Sequence, residues 1–160
     1  MTDKPLRLLL SLAAVGILLV SCDAVGLRLS RVPSGSMEPT FSKGDLIWWK
    51  DISDNDLKRI KVGDVVVYRD SSISAEPLLK RVVGLAGDVV EIRGDKLIVN
   101  GATPVGQWAT RECASRQCNF GPATVPPDHL FVLGDNWERS SDSRNAGPVP
   151  VQAVVGKVIG

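Results

Sequence analysis

Few positions in this sequence could carry covalent chemistry. Ser34-Gly35-Ser36-Met37-Glu38-Pro39-Thr40 sets two small hydroxyl residues either side of a glycine, with a proline three residues after Ser36. Gly35 opens backbone angles that other residues avoid, and Pro39 fixes its own φ and disfavours helix at Glu38. The segment is expected to be a rigid non-helical turn that holds one hydroxyl outward beside backbone N–H groups. A serine hydroxyl is barely ionised at neutral pH and needs a base to become a nucleophile. The single histidine, His129, follows two prolines and Asp128; it could be that base, or simply begin the strand after it. Lys80 is the other candidate. Its neighbours Leu78, Leu79, Val82 and Val83 are apolar, so its strand is expected to be buried on at least one face. Burial disfavours the ammonium form, and a neutral amine can take a proton from serine. The plainer reading of Lys80 is a strand lysine whose ammonium reaches solvent.

The elements that position these residues follow from composition and pattern. At 160 residues the chain has room for one domain with a modest core. Lys and Arg number 19 against 18 Asp and Glu, so no basic footprint points to nucleic acid. Three Cys and one His without clustering argue against a metal site, and no cofactor is called for.

Residues 1–27 differ in kind from the rest. Lys4 and Arg7 precede Leu8 to Cys22, an uncharged stretch of fifteen residues that ends at Asp23. This falls just short of the ~17–25 residues that span a bilayer, but Leu6 and Ala24 to Leu27 can lengthen it, and Arg7 can snorkel. The expectation is an uncleaved anchor with a cytoplasmic N-terminus. A removable signal peptide has a similar apolar length, and Leu19-Val20-Ser21-Cys22 also resembles a lipoprotein processing site that would acylate Cys22.

Beyond Thr40, short strands are expected. Asp45 to Trp49 is one, and Asp51 to Lys61 reads as a charged, solvated loop. Val65 to Tyr68 is a β-branched run suited to a buried strand. Ser71 to Pro77 is a surface connection, and Pro77 to Gly84 a strand. Val89 to Arg93 and Leu97 to Val99 form a hairpin across Gly94-Asp95. Residues 102–127 are a small insert rich in turn residues. It holds Cys113 and Cys118, which in an oxidising compartment would close a surface loop as a disulfide. His129 to Leu133 is a strand, Ser140 to Pro150 a polar loop, and Val151 to Ile159 a final strand. The fold class is mainly β, a folded barrel or sandwich with one N-terminal transmembrane helix.

Four segments carry a family resemblance. Ser34 to Thr40 resembles the serine box of type I signal peptidases, the membrane-bound Ser/Lys leader peptidases. Gly63-Asp64-Val65-Val66-Val67-Tyr68 is similar to their next box, and Lys80-Arg81-Val82-Val83-Gly84-Leu85-Ala86-Gly87-Asp88 to the lysine box. Gly134-Asp135-Asn136 with Ser140-Ser141-Asp142-Ser143-Arg144 is similar to the terminal box. They occur in family order.

The resemblance implies Ser36 as nucleophile, Lys80 as general base, and the Ser36 N–H with the Ser34 hydroxyl as oxyanion hole. It further implies that Ser140 holds the Lys80 amine, that Asp142 and Arg144 form a supporting ion pair, and that Val32, Pro33, Met37 and Leu79 line the substrate pocket. The implied substrate is the signal peptide of a secretory preprotein with small residues at −1 and −3 from the cut. The implied enzyme is a monomer in contact with membrane lipid, single-pass in a bacterial inner membrane, with residues 28–160 on the extracytoplasmic side. Two alternatives stand beside it: a conjugative pilin-processing peptidase, and a non-catalytic membrane-tethered β-domain that binds an envelope partner.

Overall fold

Apolar, β-branched runs become strands in this chain wherever short Gly-containing turns separate them. The computed structural model describes residues 26–113 and 119–159. Within them lie β1 (Leu27–Arg31), β2 (Leu46–Asp51), β3 (Val65–Tyr68), β4 (Leu78–Gly84), β5 (Val89–Arg93), β6 (Lys96–Val99), β7 (Asn119–Thr124), β8 (His129–Leu133), β9 (Val149–Pro150) and β10 (Val154–Val158). Two one-turn helices, α1 (Asp54–Leu57) and α2 (Ser143–Ala146), interrupt them. The strands form an antiparallel sheet in the order β1-β2-β10-β3-β4-β8-β9 and a smaller one in the order β6-β5-β7.

The site is built on the centre of the larger sheet. β3 and β4 are buried along almost their whole length, and the pairing sets Val66 opposite Lys80 and Val65 opposite Arg81. Side chains alternate between faces. Val66 and Val82, with Tyr68, Leu130 and Val132, belong to one core cluster. Leu79 packs on the other face with Val32, Met37, Ile47, Val65 and Val67. A third cluster, including Val83, Val90, Ile92 and Phe131, joins the two sheets. Gly84 is required there, because a Cβ would lie 2.6 Å from the Val90 side chain.

Several elements depart from the sequence reading. Leu27, counted with the apolar N-terminal segment, opens β1. Asp51 to Lys61 is not only loop: a reciprocal Ser53–Asp56 capping box nucleates α1. The insert contains β7, whose Gly121-Pro122 reads as a turn but is tolerated because β7 is an edge strand of the small sheet. Ser140 to Pro150 contains α2 and β9, and the final strand starts at Val154, after a 3-10 turn at Val151–Ala153. Among the described residues no helix is long and apolar enough to cross a membrane. Leu8 to Cys22, the expected anchor, lies outside them, as does Cys118.

Candidate active site

The serine segment is held from both ends. Val32, at the exit of β1, donates to the Asp45 carbonyl at 2.8 Å and accepts from the Gly44 N–H at 2.9 Å. The chain then enters a single 3-10 turn, Gly35–Met37, rather than the fully non-helical turn expected. Ser34 caps it, as a short polar side chain in extended conformation does at a helix start. Its Oγ accepts the Ser36 N–H at 3.5 Å, and its hydroxyl donates to Ser36 Oγ at 3.2 Å. Met37 is fully buried among Val32, Ile47, Val65, Val67 and Leu79, which pins the turn to the sheet.

Lys80 reaches this turn from β4. Its Nζ lies 2.8 Å from Ser36 Oγ and 3.0 Å from the Leu79 carbonyl oxygen, and the residue is 3% exposed. Burial pushes its pKa down, while the negative charges of Asp142 and then Asp135 partly hold it up. The result is an amine whose neutral form gains from desolvation and which lies within hydrogen-bond reach of the Ser36 hydroxyl. His129 is elsewhere: its Nδ1 is 2.7 Å from the Pro127 carbonyl. Of the two candidate bases, Lys80 is the one in hydrogen-bond contact with Ser36.

The segment after β8 closes the site. A side chain on Gly134 would run into both Ser140 and the Ser36 carbonyl, so glycine permits the close approach of this segment to the serine turn. Asp142 is completely buried. Its carboxylate accepts from the Gly134 N–H at 3.0 Å and pairs with the Arg144 guanidinium through two 2.8 Å contacts. Ser140 requires a correction. Its Oγ is buried and makes no hydrogen bond, and the two hydrogen bonds of the Lys80 amine go to Ser36 and Leu79 instead.

A second buried ion pair escaped the sequence reading. Arg81 grips Asp135 in a bidentate pair at 2.8 and 2.6 Å, donates to the Gly63 carbonyl at 2.7 Å, and stacks over Trp108. Asp135 also accepts from the Thr40 hydroxyl. The pair thus ties the lysine strand to the end of the serine segment. A signal existed: Arg81 interrupts an apolar strand and Asp135 closely follows another, and buried charges need partners.

Next to the serine turn and β4, a cleft of about 230 Å³ is lined by Val32, Pro33 and Leu79, together with Ile47, Trp49, Val67 and Leu78. Met37 does not line it, and this corrects the expected pocket; its side chain is consumed by the core beneath. Among the described residues no group of three His, Cys, Asp or Glu side chains could hold a metal ion.

A family model described as signal peptidase, peptidase S26, matches residues 6–159. The chain belongs to this family. It is 33% identical over 138 residues to thylakoidal processing peptidase 1 of Arabidopsis thaliana, a match covering 80% of this chain and 39% of that protein. It is 32% identical to signal peptidase I of Leptolyngbya laminosa, covering 80% of this chain and 64% of the relative. With signal peptidase I of Bacillus caldolyticus the identity is 33%, covering 79% and 74%. The chain thus spans between about a third and two thirds of the length of the first three relatives it matches. A crystal structure of a signal peptidase I from Enterococcus faecalis matches with a TM-score of 0.52 at 31% identity, covering 63% of this chain and 97% of that one.

Proposed function

We propose that this chain is a membrane-anchored serine endopeptidase that removes signal peptides from exported preproteins through a Ser36/Lys80 dyad. The observation that carries the reading is the 2.8 Å contact between the buried Lys80 amine and Ser36 Oγ. Neutral Lys80 accepts the Ser36 proton as Oγ bonds to the scissile carbonyl carbon. The carbonyl oxygen becomes an oxyanion, received by the Ser36 N–H and the Ser34 hydroxyl. The 3.5 Å contact that now occupies that N–H is long, and an oxyanion would displace it. The C–N bond then breaks and the Lys80 ammonium protonates the leaving amine. Water, deprotonated by Lys80, attacks the ester. Collapse expels Ser36 Oγ, which regains the proton, and frees the new carboxyl end of the signal peptide.

The apolar walls at Val32, Pro33 and Leu79 support the recognition of small apolar residues at −1 and −3. The apolar stretch Leu8 to Cys22 supports a single-pass anchor in a bacterial inner membrane, with the catalytic domain outside. Leu29, Leu46 and Trp48 are exposed on β1 and β2, the strands this stretch leads into, and suit contact with lipid. Cys113 is disulfide-bonded, which supports pairing with Cys118 in an oxidising compartment. The protein is taken to act as a monomer without metal or cofactor.

The test is incubation of the detergent-solubilised full chain with several unrelated preproteins, with each cut located by mass spectrometry. Cleavage after small residues at −1 and −3 is expected. Binding without cleavage would favour a non-catalytic β-domain, and cleavage of a pilin alone the dedicated peptidase.

A further inference from the structure

We propose that Asn136 is a positioning residue that aims the Ser36 N–H into the oxyanion hole by holding its peptide from behind. The inference rests on the reading of Ser36 as nucleophile and goes beyond it. The Gly35 carbonyl and the Ser36 N–H belong to one planar trans peptide, so they point in opposite directions and turn together. Glycine lacks the side chain that would restrict this unit. The Asn136 side-chain amide donates to the Gly35 carbonyl oxygen at 3.2 Å, and the Glu38 N–H donates to the same oxygen at 3.2 Å. The Asn136 backbone N–H donates to the Ser36 carbonyl at 3.0 Å. One residue therefore fixes the peptides on both sides of the Ser36 Cα.

The fixing has two consequences. It sets the direction in which the Ser36 N–H points before substrate arrives, and a preset donor needs no reorganisation during the reaction. Donation to the Gly35 oxygen also polarises the peptide, making its N–H a stronger donor to an oxyanion. The support behind Asn136 is rigid. Gly134 admits the close approach, and Asp135 is locked by Arg81 and Thr40.

The test uses the full chain in detergent with a preprotein peptide, a peptide boronate that forms a tetrahedral adduct on serine, and the corresponding uncleavable peptide. Asn136→Ala deletes the amide donor. Asn136→Asp keeps the shape but sets a carboxylate oxygen against the Gly35 carbonyl. Both retain the backbone N–H. Removing a whole oxyanion donor costs ~10²–10³ in turnover, so misaiming one is expected to lower kcat roughly 10–100-fold. KM should stay within about threefold, and boronate affinity should fall in step with kcat/KM while binding of the uncleavable peptide holds. Turnover within about threefold of the parent in both folded variants overturns the proposal. So does an equal loss of boronate and peptide binding, or melting of both variants below the assay temperature, since each marks a merely structural role. If the parent chain itself does not cleave and Ser36→Ala changes nothing, the peptidase reading fails with it.

Discussion

Replacing Asp135 by asparagine tests how the two halves of the site are joined. The exchange keeps the shape but removes a carboxylate that is 2% exposed and faces an Arg81 side chain that is 10% exposed. Two charge-assisted contacts, at 2.8 and 2.6 Å, weaken at once, and the guanidinium stays buried without its counter-charge. Breaking one side of a buried ion pair typically costs ~3–5 kcal/mol. The Gly63 carbonyl and the Trp108 ring still engage Arg81, which places the expectation near the lower end, about 3 kcal/mol. For a domain of this size that lowers Tm by roughly 10 °C. Thermal and urea unfolding of Asp135→Asn, Arg81→Met and the double variant measure it. The double variant should cost clearly less than the two singles combined, because each single strands the other's charge. Arg81→Lys should not restore stability, since an ammonium cannot reproduce the fork. A loss under about 1 kcal/mol for Asp135→Asn, or strict additivity, would refute the strut argument.

Four further outcomes follow from the same geometry. Gly134→Ala should lose nearly all turnover, because its methyl group has no space between Ser140 and the Ser36 carbonyl; active-site titration of the folded fraction checks this. Cleavage should rise with pH as Lys80 loses its proton, and Asp142→Asn should move that rise to lower pH, since Asp142 is the main group holding the Lys80 pKa up. The same lowered pKa has a stability consequence. Between the folded and unfolded values the unfolded chain binds more protons, so stability should climb with pH through that window, and chemical denaturation of Lys80→Met should lack that part of the slope. Finally, Cys113→Ser/Cys118→Ser should keep most of its turnover, as both cysteines belong to the insert of residues 102–127 and not to the Ser36/Lys80 pair; a large loss in folded protein would assign the insert a role in chemistry.

What could be read from the sequence was what is local. The runs that became β2 to β6 and β8 declare themselves by apolar, β-branched composition between turn residues. A small-residue turn and a lysine in an apolar strand are short-range signals that make Ser36 and Lys80 candidates, but only the family resemblance of four segments gives them roles. Failures came where neighbours in space decide. Nothing near Phe120-Gly121-Pro122 marks β7 as a strand, because β5 supplies its pairing and its edge position makes the proline harmless. Met37 looks like a pocket residue until the packing of Val32, Ile47 and Leu79 around it is known. Arg81 and Asp135 are 54 residues apart, and only the fold makes them partners. The family resemblance assigns Ser140 to the Lys80 amine, whereas in the fold that amine bonds to Ser36, 44 residues before it in the chain, and to the Leu79 carbonyl.

The most direct test of the central claim is preprotein cleavage by Lys80→Met, measured beside Ser36→Ala and the parent chain, with folding verified by thermal unfolding. Lys80→Met fills most of the volume of the lysine without a base, so Ser36 keeps its place in the turn but loses the amine 2.8 Å away. Turnover is expected to fall to the level of Ser36→Ala at every pH. Substantial cleavage by folded Lys80→Met protein would contradict the dyad.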